Sequence, residues 1–243
     1  MRQYVLTRAA YGPEWPRDAN ARRLRITRGI TARMMELQTN RDWTWIALLD
    51  PRDQLLEERI AVFKRAAPAL IPILWTPTDV KDAPWDKHPI GGRRAKVAAT
   101  AYRAPWRQAV GPADDRVLMT RLDDDDALAR NTLARVRRAS QKVSKRAILM
   151  NPIGFRVWNG QYSRVRHNGN AMQTLLTPPG DDLCVYDYGH RLGYRVAPVV
   201  VVDMDPAWLW TRHRDTLSGW QRANIPISES LSKMFPVDWE VLR

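Results

Sequence analysis

Cysteine is almost missing from this chain: Cys184 stands alone among 243 residues. One thiol excludes an intramolecular disulfide and suits a reducing compartment, so a cytoplasmic setting is expected. Histidine is nearly as scarce, and the four histidines and one cysteine show no zinc-site spacing. No apolar run reaches the roughly 18 residues of a membrane span. The opening Met1-Arg2-Gln3-Tyr4 has no signal-peptide apolar region, so no leader is expected. Internal repeats, low-complexity tracts, G-x-G-x-x-G and Walker patterns are all absent. What the chain does have is 44% apolar residues, 11 of them tryptophan, enough for the core of one large α/β domain. It also carries 39 basic against 26 acidic residues, a net +13. That excess points to an anionic partner, whether nucleic acid, a membrane surface or a phosphorylated small molecule, without choosing among them.

The most informative stretch is the apolar run Val117-Leu118-Met119-Thr120-Arg121-Leu122, which ends in Asp123-Asp124-Asp125-Asp126. The run predicts a buried strand with a helix-like segment following directly. Four adjacent anions repel one another by about 3 kcal/mol per pair at 5 Å and an effective dielectric of 20. A cation at this point would relieve that repulsion. In an extended chain Asp123 and Asp125 would point one way, Asp124 and Asp126 the other. Two carboxylates on one side of a strand end suit a hard divalent ion. Helix N-capping accounts for one or two of the aspartates equally well, but not for four.

Periodicity predicts strands at 3–8, 43–51, 69–75 and 117–122, with Pro72 placing the third at an edge. Helices are predicted from Asn20 to Leu37, over 53–67, 94–109 and 129–144, with a long loop at 76–92. Alternating strands and helices indicate a mostly parallel sheet flanked by helices. Beyond residue 147 the pattern is richer in β-structure. A hairpin is expected at 154–158 and 161–167 around Asn159-Gly160, then strands at 183–188, 195–202 and 208–211. Phe235, Trp220 and Trp239 stand as aromatic anchors near the end.

Ligands of open parallel sheets bind beyond the carboxyl ends of the strands. Arg8, Asp50 and Asp123 all lie at such ends and converge if the first, second and fourth strands are neighbours. Asp50 would then accept from a base or a ribose hydroxyl, although Asp-Pro after a strand is also ordinary turn chemistry. Gly91-Gly92-Arg93-Arg94-Ala95-Lys96 precedes a helix and could meet phosphate, or simply be a solvated loop end. His213 follows an apolar strand, where a lone histidine is more often structural than a metal ligand. Asp187 and His190 follow another expected strand and are general-base candidates. Trp43, Trp45, Trp208 and Trp210 alternate as packing residues should; Trp85 and Trp106 are freer to stack on a ligand.

Taken together, Thr120-Arg121-Leu122-Asp123-Asp124-Asp125-Asp126-Ala127-Leu128, the lead-in Leu37-Gln38-Thr39-Asn40-Arg41-Asp42-Trp43-Thr44-Trp45, the pair Thr7-Arg8 and the closing Trp208-Leu209-Trp210-Thr211-Arg212-His213 resemble the rhamnosyltransferase family, a group of GT-A-like glycosyltransferases. The resemblance spans residues 7 to 213 in order and departs from the family at Ala9-Ala10. It implies a single GT-A-like domain, with 1–146 as nucleotide-sugar half, 147–213 as acceptor-side half and 214–243 as a tail. It implies a donor held through Mn²⁺ or Mg²⁺. Asp123 and Asp125 would be the DxD pair, with Asp125 a direct ligand and Asp123 on ribose or the ion. Asp126 would support the metal site, His213 would be the late metal-binding histidine, and Asp124 would lie on the nucleotide-sugar side. Asp50 would match the aspartate that holds the nucleoside.

The expected function is transfer of a sugar from a nucleoside diphosphate sugar to a hydroxyl on a glycan, lipid-linked glycan or protein. Arg93, Arg94 and Lys96 would add positive charge near the diphosphate. Asp187, then His190, would deprotonate the acceptor in an inverting reaction. The net charge suits an anionic surface, including peripheral contact with a membrane. The competing expectation is a nucleic-acid-binding protein, or a metal-dependent nuclease or nucleotidyltransferase. It rests on the same charge and on the basic helix after the aspartates, and the acidic run opposes plain phosphate binding.

Overall fold

The structure is a computed structural model and describes residues 1–9, 13, 15–76, 105, 108–110, 114–186, 188, 190–202, 206–213 and 225–242. The first strand, β1 (Arg2–Ala9), buries Tyr4, Val5, Leu6 and Thr7 in succession. Burial on both faces requires a central position with layers above and below. Parallel neighbours supply it: β2 (Thr44–Leu49) on one side and β4 (Val117–Arg121) on the other, with β3 (Leu70–Leu74) beyond β2 at the edge. Pro72 therefore lies in an edge strand, as its missing N–H demands. The remaining strands of this sheet are β6 (Ala147–Met150), β9 (Thr174–Thr177) and β10 (Val199–Val201), giving the order β10-β6-β9-β4-β1-β2-β3. Among the described residues, β9 alone runs antiparallel to its neighbours in this sheet.

Helix α1 (Arg17–Ile26) continues through a π-helical segment, Thr27–Ala32, into α2 (Arg33–Glu36). The wider π turn lies at Gly29, whose carbonyl accepts from the Asp238 N–H at 3.1 Å. An added Cβ there would stand 3.1 Å from Val241, so glycine admits the C-terminal segment. Helix α3 (Leu56–Ala66) presents Val62 and Phe63 to the sheet, with the Phe63 ring edge-on to Trp45 at 4.7 Å. Helix α4 (Thr132–Ser140) buries Leu133 and Val136 and leaves Arg135 and Arg138 exposed.

A second sheet has the order β12-β8-β7-β11-β5, built from β5 (Ala127–Leu128), β7 (Ile153–Trp158), β8 (Gln161–Arg166), β11 (Trp208–Arg212) and β12 (Ile225–Pro226). The β7–β8 hairpin turns on Asn159 and Gly160, at φ 45° and 71°, the two left-handed residues of a type I′ turn. Its core joins the π segment to the C-terminal helix α5 (Glu229–Met234) through Ile26, Ile30, Val157, Leu209 and Phe235. Gly154 lies under the Trp208 ring: a Cβ would come within 2.1 Å of it. Gly154→Ala is expected to lower stability by about 1–3 kcal/mol or more. A denaturant midpoint equal to wild type would refute that packing account.

Four expectations change. No strand is expected from the pattern at 147–150 or 174–177, yet β6 and β9 lie there. The strand expected at 183–188 is not one among the described residues: Cys184, Val185 and Tyr188 are buried in turns against the underside of the sheet. A short apolar run fills a core equally well as a packed loop. The strand expected at 195–202 shrinks to β10, preceded by a 3₁₀ helix at His190–Arg195. Finally, the acidic run does not lead straight into a helix; β5 intervenes before α4. The helix expected at 94–109 falls almost entirely outside the described residues. Among the described residues, no helix is long and apolar enough to cross a membrane.

Candidate active site

With β4, β1 and β2 side by side, Arg8, Asp50 and Asp123 finish on the same edge of the sheet. Leu6 is opposite Arg121, and Ala9 is opposite Leu49. The acidic run does not continue the strand. It closes a turn in which the Asp126 N–H reaches the Asp123 carbonyl at 3.2 Å. The expected alternation of side chains therefore fails, and each carboxylate takes its own direction.

Two contacts bind this turn to β11. The Thr211 N–H donates to Asp126 Oδ1 at 2.9 Å, and the Thr211 hydroxyl donates to the Asp125 carbonyl. The antiparallel pairing of β5 with Trp208 and Leu209 holds the two segments in register. This pairing is what carries His213, 88 positions away in sequence, to Asp125: Nε2 lies 3.2 Å from Oδ2.

Between them stands a cation. Arg23, on α1, places Nη1 2.7 Å from Asp125 Oδ2 and 2.9 Å from His213 Nε2. Its Nε and Nη2 both donate to Asp124 Oδ1, at 3.1 and 2.7 Å. Asp124 also accepts from the Thr27 hydroxyl at 3.3 Å and has the Arg59 guanidinium 3.9 Å away. Arg59, fully buried, holds Asp53 at 2.8 Å and donates to Asn20. A guanidinium thus supplies counter-charge to two of the four carboxylates, Asp124 and Asp125. The sequence pattern hides it, because Arg23 belongs to the basic run of α1 and lies 101 residues from Asp124.

Asp126 is buried, its carboxyl accepting from the Thr211 N–H. Burial, and then the charges of Asp125 and Asp123, push its carboxyl well above the usual carboxylate range. A carboxyl whose folded pKa is raised stabilises the fold while protonated, and the benefit is lost as pH climbs from its ordinary 3.8 through the raised value. Asp126→Asn keeps an acceptor for Thr211 and removes that loss. Its Tm is expected to gain on wild type progressively as pH rises above 3.8, by roughly 2–4 °C per kcal/mol relieved. A gap independent of pH would contradict it.

Asp123 is the most solvent-accessible of the four, its side chain 30% exposed and 3.5 Å from Arg121. Asp50 is fully buried and clasped by Arg52 through Nε at 2.9 Å and Nη2 at 2.6 Å. Burial opposes its charge, but the Arg52 contacts prevail and hold its carboxyl below the usual range. Arg8 is exposed near the carboxyl end of β1. Arg93, Arg94, Lys96 and Asp187 lie outside the described residues, as do Trp85 and Trp106. His190 opens the 3₁₀ helix, its side chain outside the description.

The second sheet contributes cations that the sequence does not single out. The Arg212 guanidinium lies over the Trp210 ring at 3.9 Å, with Arg156 over the same ring at 5.4 Å. Burial lowers the pKa of both, and for Arg212 the charges of Asp126 and Asp125 oppose the shift. Strand alternation puts Trp210 and Arg212 on one face, the only sequence signal for this platform.

Among the described residues no three His, Cys, Asp or Glu side chains converge to hold a metal unaided. Asp125 Oδ2 and His213 Nε2 nevertheless form a suitable pair. Neighbouring ligands of a six-coordinate ion with bonds of about 2.1 Å lie about 3 Å apart, and Mg²⁺-type ions commonly take one or two protein ligands plus substrate phosphates. His213 Nε2 accepts from Arg23, so its lone pair faces the point an ion would take. The pair fits a divalent ion that arrives with a diphosphate.

Several solved structures resemble this chain at low sequence identity. The 1–349 fragment of S. aureus TarS in complex with UDP superimposes with TM-score 0.50 at 11% identity, over 88% of this chain and 61% of that one. Longer TarS gives 0.48 at 9%, over 87% and 37%. A nucleotide-diphospho-sugar transferase described for Desulfovibrio desulfuricans gives 0.41 at 11%, over 87% and 82%. This chain thus spans less than two thirds of the TarS structures. No curated protein matches the sequence. The fold is that of GT-A-like nucleotide-sugar transferases, and with residues 8–224 matching the glycosyltransferase family described as "Putative rhamnosyl transferase", the chain belongs to that family.

Proposed function

We propose that this protein transfers a sugar, rhamnose if the family description holds for this chain, from a nucleoside diphosphate sugar to a hydroxyl acceptor. The observation that carries the reading is the pairing of Asp125 with His213 at the carboxyl ends of the parallel strands, beside the arginines on Trp210. Arg212 and Arg156, partly stripped of water, present fixed positive charge where a diphosphate would leave. Asp123, the accessible carboxylate, would meet the ribose hydroxyls or the ion. Asp50, enclosed by Arg52, acts on the nucleoside through that guanidinium. Asp125 and His213 would hold Mn²⁺ or Mg²⁺, a Lewis acid for the leaving diphosphate. Arg93, Arg94 and Lys96 would add positive charge for the diphosphate, as would Arg8, exposed near the carboxyl end of β1.

In an inverting reaction Asp187, or His190 in its place, takes the acceptor proton. Acceptors of the glycan, lipid-linked or protein kind remain in the reading, and exposed cations such as Arg135 and Arg138 on α4 favour one bearing negative charge. A donor screen tests the proposal: nucleotide sugars with different bases and sugars, incubated with Mn²⁺ and assayed for diphosphate release. One donor turned over well above the rest supports it. Hydrolysis or thermal shift with none of them overturns it.

A further inference from the structure

We propose that Arg23 is the resident counter-ion of the acidic turn, and that a divalent ion and the Arg23 Nη1 group compete for one position. The geometry is specific. Nη1 lies within 3 Å of both Asp125 Oδ2 and His213 Nε2, the two atoms best suited to ligate an ion. A guanidinium and a divalent ion cannot share that gap, since both are positive and the two acceptors are only 3.2 Å apart.

The rest of the guanidinium is attached elsewhere. Nε and Nη2 converge on a single oxygen, Asp124 Oδ1, and Asp124 is steadied by Thr27 and Arg59. That shared oxygen is a hinge: Nη1 can turn off Asp125 and His213 while Arg23 keeps Asp124. A diphosphate oxygen offers Nη1 a new charged acceptor, which bare solvent does not. Ion binding therefore depends on the diphosphate, and Arg23 is a positioning residue that couples the two. The diphosphate half of this inference rests on the transferase reading; the competition for the site does not.

The test is Mn²⁺ binding followed by electron paramagnetic resonance, with folding of each variant checked by circular dichroism. Wild type with Mn²⁺ alone is expected to leave nearly all of the metal signal free, and added UDP, GDP or dTDP to bring one ion per chain onto the protein. Arg23→Met is expected to bind Mn²⁺ alone at least about tenfold more tightly than wild type, and Arg23→Met/His213→Ala to lose that gain. Tight one-to-one Mn²⁺ binding by wild type without nucleotide, abolished in His213→Ala, would overturn the proposal. So would a folded Arg23→Met whose Mn²⁺ affinity is unchanged. Should Arg23→Met not fold, the wild-type and His213→Ala titrations decide. Failure of every nucleotide to bind, with or without Mn²⁺, would instead sink the transferase reading, and the metal-alone comparison would still judge Arg23.

Discussion

Asp125→Asn is expected to slow sugar transfer by at least about 100-fold, the scale on which a single electrostatic contact to the transition state acts, while the chain stays folded. Asp125 Oδ2 faces both Arg23 and His213. Asparagine matches its shape, and its carbonyl oxygen can still accept from Nη1. What it loses is the negative charge that a divalent ion held beside His213 would require. Its backbone carbonyl, which accepts from Thr211, is untouched. Arg23 keeps Asp124 as a full counter-charge, so no buried cation is stranded. Steady-state kinetics with the donor found by screening, beside a thermal melt, make the measurement. Turnover within tenfold of wild type would remove Asp125 from the reacting centre.

The largest stability loss is expected at Arg59. Its side chain is completely buried, with Nε on Asp53 at 2.8 Å and Nη1 3.9 Å from Asp124. Asp53 is itself tied to Asn20, whose amide donates to Oδ1 at 2.6 Å, and to the Leu55 N–H at the start of α3. This network joins α1 to α3 beneath the acidic turn. Arg59→Ala strands the Asp53 carboxylate without its cation, a change that typically costs 3–5 kcal/mol, roughly. Urea unfolding reads it directly. A loss near the surface-substitution range of about 0.5 kcal/mol would show that the pair does not hold the helices together. The Asp53→Ala/Arg59→Ala double variant should lose less than the sum of the single changes, because neither charge is left alone.

Much of the main sheet is legible because parallel strands are buried on both faces. Runs such as Val5-Leu6 and Ile46-Ala47-Leu48-Leu49 have no solvent side to disguise them, and Pro72 marks the edge. The Asn159-Gly160 hairpin is equally plain, since its two left-handed residues restrict the sequence. β9 is not legible: Thr174-Leu175-Leu176-Thr177 is four residues long, and its antiparallel direction depends on partners β4 and β6 that lie far off in sequence. The stretch at 183–188 shows the opposite failure. Its apolar residues are buried as a strand's would be, but in a loop that makes no sheet pairing among the described residues.

The site divides in the same way. That four aspartates need a cation follows from Coulomb's law alone. Which cation answers, and where each carboxylate points, depends on a turn and on two remote elements, α1 and β11. Asp124 could not be distinguished from Asp125 by position in the run; the fold sends Asp124 inward to Arg59 and Thr27 and leaves Asp125 with His213. The motif Trp-x-Arg-His holds the information for His213 through the family likeness, whereas Arg23 sits in a helix whose neighbouring arginines, such as Arg22 paired with Asp18, are ordinary surface residues.

Calorimetric titration of wild-type protein with UDP, GDP and dTDP in the presence of Mn²⁺, beside a duplex-DNA titration, tests the central claim most directly. The account predicts one-to-one binding of at least one nucleoside diphosphate, lost in Asp125→Asn, and only weak, salt-sensitive binding of DNA. Tight duplex binding with no metal-dependent nucleotide binding would contradict it.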